Sequence, residues 1–369
     1  MEKDHGFSKG SSEIRVAIAG VGNCASALVQ GIEYYKDVGD DDFVPGIMHT
    51  NFGGYRIKDI KFVAALDVNK SKIGRDLNEA IFADPNCCVV FAEVPRLGVE
   101  VLPGPILDGV APHMQEPFHA YDEGEIRATD VAETLRETDA DMLVNFIPVG
   151  SREATKYYAD ACLEAQCAFV NCIPEFIASD PAWAKRFGDA GLPVVGDDIK
   201  SQVGATIVHR ALIDTLINRG VKIDETYQMN IGGNTDFLNM TVEGRLVTKR
   251  ESKTKAITSL VPYDVPTRIG PSDYVSFLKD TKIAHIYIKG KNFGSLPISI
   301  DLTLRVNDSP NSAGVVVDVI RATKLALDRG ISGPLVSISS YAFKHPPVKV
   351  PDDTARIWVE NFIRGTRKR

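Results

Sequence analysis

Apolar and polar positions follow two periods along this chain, and the switches between them outline its organisation. Ile14 to Ala19 is a short run rich in β-branched residues, the pattern of a buried strand, and Cys24 to Lys36 then sets Leu28, Val29, Ile32 and Tyr35 on one helical face. Phe62 to Leu66, Met142 to Ile147, Ala168 to Val170 and Pro193 to Val195 repeat the short run, with a helix through Tyr157 and Tyr158 after the second of these. Strands alternating with helices predict an α/β fold built on a parallel, doubly wound sheet. An acidic stretch holding Asp37, Asp40, Asp41 and Asp42, followed by Pro45 and Gly53-Gly54, predicts a solvated insertion before the second strand.

Past about residue 200 the texture changes. Ile207, Val208, Leu212, Ile213, Leu216 and Ile217 mark a helix that should stop at Gly220. Ile298, Ile300, Leu302 and Leu304 alternate strictly with Ser299, Asp301, Thr303 and Arg305, and Ile283 to Ile288 precedes them across a glycine-containing loop. That pairing predicts a sheet with one face wet or covered by another subunit. Val315 to Arg329 returns to the helical period ahead of Gly330, and the tail carries Pro346, Pro347 and Pro351.

Composition narrows the class. A chain of 369 residues allows about two domains, and 44% hydrophobic residues can bury a core. The net charge of -7, with no long basic block, argues against a nucleic-acid partner. No apolar run approaches the roughly 20 residues that span a bilayer, and Met1 to Glu13 lacks a hydrophobic signal core. No membrane association and a cytoplasmic location are therefore expected. The six cysteines form no CxxC pair and the seven histidines are scattered, so buried thiols are expected rather than a zinc or redox centre.

The first strand runs directly into Gly20-Val21-Gly22-Asn23-Cys24-Ala25, a G-x-G-x-x-A fingerprint that opens a helix. Gly20 permits the tight turn, Gly22 lets a pyrophosphate approach the backbone, and Ala25 keeps helix and strand close. The free N–H groups at the helix start would hold the phosphates. Asp67, ending the second strand, is placed to receive a ribose 2′-OH and to repel a 2′-phosphate, which favours NAD over NADP. It lies further from the glycines than the usual spacing of about 20 residues, and the insertion accounts for the excess.

Two later segments gather polar groups at strand ends, where open α/β sheets bind ligands: Gly196 to Ser201 and Asn230 to Asp236. Lysines recur at Lys249, Lys253, Lys282 and Lys344. Ammonium groups around one pocket would bind a phosphate, lower one another's pKa and stabilise an oxyanion on a sugar carbon.

Gly20 to Asn23, Asp197 to Ser201, Gly232 to Asn239, Ser252 to Lys255 and Asn307 to Gly314 together resemble the myo-inositol-1-phosphate synthase family, in its shorter prokaryotic form, from about residue 14 to the chain's last turn. The resemblance implies a Rossmann NAD-binding domain made of residues 1–200 and 311–369. An α+β catalytic and tetramerisation domain would be inserted at 201–310. It implies conversion of D-glucose 6-phosphate to 1L-myo-inositol 1-phosphate: NAD-dependent oxidation at C5, enolisation, aldol closure onto C1 and re-reduction. It assigns Lys249 and Lys282 to the C5 oxygen and its proton transfers, Lys253 and Lys344 to the phosphate and the C1 oxygen, and Asp198 and Asp308 to orienting the ammonium groups. Ser201 would cap a helix near phosphate or cofactor. Asp76, Tyr158, Asp236 and Lys249 would touch the dinucleotide, and Thr138 would do so through its backbone. A divalent cation or ammonium is used variably in the family; a carboxylate with the substrate phosphate would suit a hard cation. Two other readings of the same fingerprint are an NAD-dependent sugar-phosphate dehydrogenase, which would accumulate NADH, and a non-catalytic NAD-binding regulator.

Overall fold

The computed structural model describes residues 13–40, 42–242 and 261–369. Asp41, Lys249 and Lys253 lie outside the described residues.

In chain order the strands are β1 (Ile14–Ala19), β2 (Asn51–Phe52), β3 (Tyr55–Arg56), β4 (Ile60–Asp67), β5 (Val101–Pro103), β6 (Met142–Asn145), β7 (Ala168–Asn171), β8 (Pro193–Val195), β9 (Lys222–Gly232), β10 (Thr267–Tyr274), β11 (Thr281–Lys291), β12 (Pro297–Asn307) and β13 (Gly333–Pro334). Seven of them form one sheet in the order β13-β8-β7-β6-β1-β4-β5, with every pairing parallel. The chain enters at β1, builds outward through β4 and β5, then returns to the other side of β1 with β6. That reversal is a topological switch point, where a crevice opens beyond the carboxyl ends of the strands.

Period-two alternation explains how this sheet is covered. Val16 and Ile18 face a core shared with the helices Asn23–Tyr34 and Asp308–Asp328, while Ala17 and Ala19 face one shared with Tyr158, Phe169 and Phe187. The helix Asp308–Asp328 is buried along most of its length, which is why its apolar run reads as nearly continuous. It starts at Asp308, one turn or more before the periodic run that signals it, because Asp308 to Ser312 are polar residues of the site.

The second sheet has the order β10-β9-β11-β12. β11 and β12 pair antiparallel from Thr281↔Asn307 to Lys291↔Pro297, the hairpin expected from the alternation of Ile298 to Arg305 and the Ile283 to Ile288 run before it. The helix Ala205–Asn218 covers one face, packing Ile213 and Leu216 against Ile223, Ile286 and Ile288. β12 is an edge strand; Ile298, Ile300, Leu302 and Leu304 are only half-buried against that core. The acidic insertion is less solvated than expected: it forms the β2–β3 hairpin and sends His49 and Phe52 inward against Asp318 and Arg321.

Candidate active site

β1 ends at Ala19, and Gly20 turns the chain with φ +89°, a conformation that disfavours side chains. A Cβ there would also sit 2.8 Å from the Phe146 carbonyl oxygen, so glycine is required twice over. Gly22 begins the helix Asn23–Tyr34 with no side chain capping it, and a Cβ on Gly22 would meet nothing within 4 Å. The helix N-terminus is thus open above its glycine, the geometry that accepts a phosphate. Asn23 is occupied below, its Oδ1 accepting from Cys87 N at 2.7 Å and Cys88 N at 3.0 Å.

Asp67 lies at the end of β4 beside this turn. Oδ2 accepts from Val21 N at 2.7 Å and Oδ1 from Asn69 N at 2.8 Å. Lys72 stands 4.0 Å from it and donates to Val21 O at 2.8 Å and Asn86 Oδ1 at 2.9 Å. Burial pushes the Lys72 ammonium below its ordinary range while the Asp67 charge opposes that drift. This lysine braces the fingerprint turn, and sequence reasoning passed over it. Tyr158 is buried in the same wall, so desolvation and then Asp67 raise its hydroxyl well above the phenol range. These groups fit a dinucleotide: open N–H groups for the pyrophosphate, a carboxylate at the ribose position and an apolar floor.

The crevice continues into a cavity that Gln228, Asn230 and Lys282 of the second sheet line together with Gly20, Gly22, Asn23, Asp67, Tyr158, Asp198, Ser201, Asn234, Asp236, Asp308 and Lys344. Two lysine–aspartate pairs stand in it. Lys282, at the start of β11, donates to Asp308 Oδ1 at 3.0 Å, and its ammonium lies 5.8 Å from the centre of the Phe237 ring. Lys344 donates to Asp198 Oδ1 and to Ile199 O, each at 2.7 Å. The second pair exists because the C-terminal segment lies beside the loop after β8: Lys344 N donates to Asp198 O at 2.7 Å, Ile199 and Phe343 form a bridge, and His345 stacks on Phe176.

Asp280 was also unassigned in the sequence. It is buried, accepting from Asn234 Nδ2 at 3.0 Å, Ser309 Oγ at 2.8 Å and Ser309 N at 3.1 Å, and so ties the β10–β11 connection to the start of the Asp308 helix. Burial pushes its carboxyl up to about 6, against those hydrogen bonds, with the Asp308 charge adding to the rise. The spacing Asp280-Thr281-Lys282 was the available signal. Burial likewise pushes the Cys24 thiol up to about 12, so it stays protonated and offers no nucleophile.

Three of the expected residues make other contacts. Asp76 is outside the cavity; it caps the short helix Leu77–Ala80, and its oxygens accept from Asn78, Leu97 and Gly98 N–H groups. Thr138 is at the opposite end of the strands, its carbonyl held by the Arg15 guanidinium at the start of β1. Ser201 lines the cavity but caps nothing: Gly204 is the N-cap of Ala205–Asn218, with no side-chain hydrogen bond there, and a Cβ on Gly204 would strike Ser201 Cβ at 2.8 Å. Among the described residues no three His, Cys, Asp or Glu side chains cluster as a metal site, so the donor set does not build a protein cage for a cation.

A parallel sheet with its switch-point crevice opening onto a lysine–aspartate chamber defines a dinucleotide-binding type of α/β enzyme. The myo-inositol-1-phosphate synthase family model matches residues 204–309. Inositol-3-phosphate synthase of Corynebacterium glutamicum is 51% identical over 361 residues, covering 96% of this chain and 99% of that protein. The Mycolicibacterium smegmatis inositol-3-phosphate synthase is 50% identical over 366 residues, covering 97% and 100%. A solved structure of a myo-inositol-1-phosphate synthase-related protein from Thermotoga maritima superposes with a TM-score of 0.78 at 28% identity, covering 94% of this chain and 98% of that one. The chain belongs to the myo-inositol-1-phosphate synthase family.

Proposed function

We propose that this protein is an inositol-3-phosphate synthase, an isomerase that converts D-glucose 6-phosphate to 1L-myo-inositol 1-phosphate with NAD as a recycled cofactor. The observation that carries this reading is the meeting of the glycine turn with the Lys282–Asp308 and Lys344–Asp198 pairs in one cavity. NAD held at the turn would supply a hydride acceptor for the C5 carbinol and a hydride donor for the later reduction, so no net redox change would result. Gly20, Gly22, Asn23, Asp67, Tyr158, Ser201 and Asp236 form the cofactor side of the cavity.

The rest of the reaction asks for fixed cations. A ketone at C5 acidifies the C6 hydrogen, and its removal leaves an enolate oxygen; closure of C6 onto the C1 carbonyl then leaves an alkoxide. Lys282, oriented by Asp308, stabilises the C5 oxygen and relays its proton. Lys344, oriented by Asp198, meets the phosphate and the C1 oxygen. A preorganised ammonium aimed at a developing oxyanion contributes on the order of 3 kcal/mol in a site that excludes water. Lys249 and Lys253 complete the cationic set through the family correspondence. A divalent cation or ammonium, where used, would be held by a carboxylate of the chamber and would offset the charge of the substrate phosphate. The protein works as a cytoplasmic homotetramer.

Glucose 6-phosphate incubated with the protein and catalytic NAD tests the reading. Inositol phosphate should form in many-fold excess over NAD. NADH rising in step with substrate loss would instead make the protein a dehydrogenase, and binding of NAD without turnover would make it a regulator.

A further inference from the structure

β9 is inverted relative to an ordinary half-buried strand: Thr226, Gln228 and Asn230 are buried, while Tyr227 and Met229 are exposed. The inward residues form a file with His209, which sits fully buried in the helix Ala205–Asn218. His209 Nε2 is 2.7 Å from Thr226 Oγ1, and Nδ1 is 3.4 Å from the Gln228 carboxamide. The Gln228 and Asn230 carboxamides meet at 3.0 Å. Gln228 and Asn230 line the cavity, and the atom of the Asn230 amide placed as Nδ2 is buried with no hydrogen-bond partner among the described residues. A buried polar atom left open at a cavity wall is a group that a ligand completes.

Donor and acceptor accounting gives the file a direction. Burial pushes His209 down to about 4, so the ring is neutral and carries one proton. The Thr226 hydroxyl gives its single hydrogen to Tyr287 O at 2.7 Å. It therefore accepts from His209, and the ring proton is on Nε2. Nδ1 is then bare and must face an N–H, so the Gln228 amide, placed with Oε1 toward His209 and Nε2 toward Asn230 Oδ1, is assigned the flipped sense, its NH2 toward His209 and its oxygen toward Asn230. Asn230 answers with its NH2 and shows its carbonyl oxygen to the cavity. A carboxamide has the same shape in either sense, so only the hydrogen bonds at the far end decide between them. The reverse sense takes the hydrogen from Tyr287 O and leaves a buried N–H unpaired, which costs more than an open acceptor.

We propose that His209 is a positioning residue for the substrate: protonated on Nε2, it sets the Gln228 amide and, through it, presents the Asn230 carbonyl to a hydroxyl of the sugar phosphate. This rests on the reading of the cavity as the sugar-phosphate site. Neither His209 nor Thr226 lines the cavity, so their effect on substrate must travel along the file.

Two measurements test it. In ¹⁵N-histidine NMR spectra of the whole protein, His209 should be a neutral ring protonated at Nε2, with no titration between about pH 5 and 8. Thr226→Val removes the hydroxyl at nearly constant volume. It should lower kcat/KM for glucose 6-phosphate roughly tenfold, the scale of one lost substrate hydrogen bond, with the Kd for NAD unchanged. His209→Leu should lower it at least as far, and His209→Gln, which can still bond the neighbouring amide, should recover part of the loss. If His209→Leu does not fold, seen as lost NAD binding, Thr226→Val decides. A His209 that titrates near pH 6.5 or carries its proton on Nδ1 overturns the proposal, as does a Thr226→Val protein with parental kcat/KM and only a lower Tm. Unmodified protein that makes no inositol phosphate fails the functional reading instead, and the NMR result stands apart from that outcome.

Discussion

Lys282 donates to Asp308 at 3.0 Å and Lys344 to Asp198 and to Ile199 O, each at 2.7 Å, so each ammonium is aimed before substrate arrives. Lys282→Ala should therefore cut turnover by on the order of 100-fold or more while NAD affinity survives, because the lost cation acts on oxygens that become charged only during reaction. Product formation and NAD titration, measured separately, check this; near-normal turnover removes Lys282 from the site. Lys72 makes the opposite demand. It braces Val21 and neutralises Asp67, so Lys72→Met leaves a buried carboxylate without its cation and loosens the turn. NAD affinity should fall about tenfold, the worth of one or two charge-assisted hydrogen bonds, and calorimetric titration giving the parental Kd would reject that role. The lysines of the site were readable through a family pattern of residues. Lys72 was not, because in Asn69-Lys70-Ser71-Lys72 nothing local separates the exposed Lys70 from its buried neighbour two residues on.

Among the elements, strands with apolar residues on both faces were legible as continuous runs, β12 was legible from its alternation, and β11 from the Ile283 to Ile288 run before it. β9 was seen only at its end, since Thr226, Gln228 and Asn230 point inward and the usual polar code is reversed; local rules break where a site is built. The insertion was misjudged for a similar reason. Its acidic residues signal solvent, but His49 alone ties it to two helices, with Nδ1 2.5 Å from Asp318 and Nε2 3.3 Å from Glu360. Burial pushes the His49 imidazole down, yet the two carboxylates outweigh it and its pKa rises above the ordinary 6.5. A raised histidine contributes stability that is fully present below the unfolded pKa and is lost as pH climbs through the folded one. The thermal midpoint of the protein should therefore fall relative to a His49→Gln variant as pH rises from 6.5. A difference between the two proteins that stays constant across that range would show that His49 does not couple protonation to folding.

At the scale of the molecule, the inversion of β9 that places Asn230 at the cavity has a second consequence on the other side of the sheet. The outer face of β9 and β11 carries Tyr227 stacked on Tyr287 at 5.1 Å, with Met229 alongside, and Tyr227 and Met229 are 38% and 48% exposed. β12, the edge strand, covers its apolar residues only in part, and the turn before it exposes Phe293 and Leu296. Exposed Tyr227 and Met229 near an open strand edge form a surface that a partner can cover. A second copy of the chain is the partner that the expected homotetramer supplies, and it would bury the Tyr227, Met229 and Tyr287 cluster. Light scattering at micromolar concentration should give a tetramer. The double variant Tyr227→Glu/Met229→Glu, which places charge on that face without touching a cavity residue, should shift the protein to smaller species while NAD binding persists. A monomeric parent protein rejects the assembly, and a variant that remains tetrameric moves the interface away from this sheet.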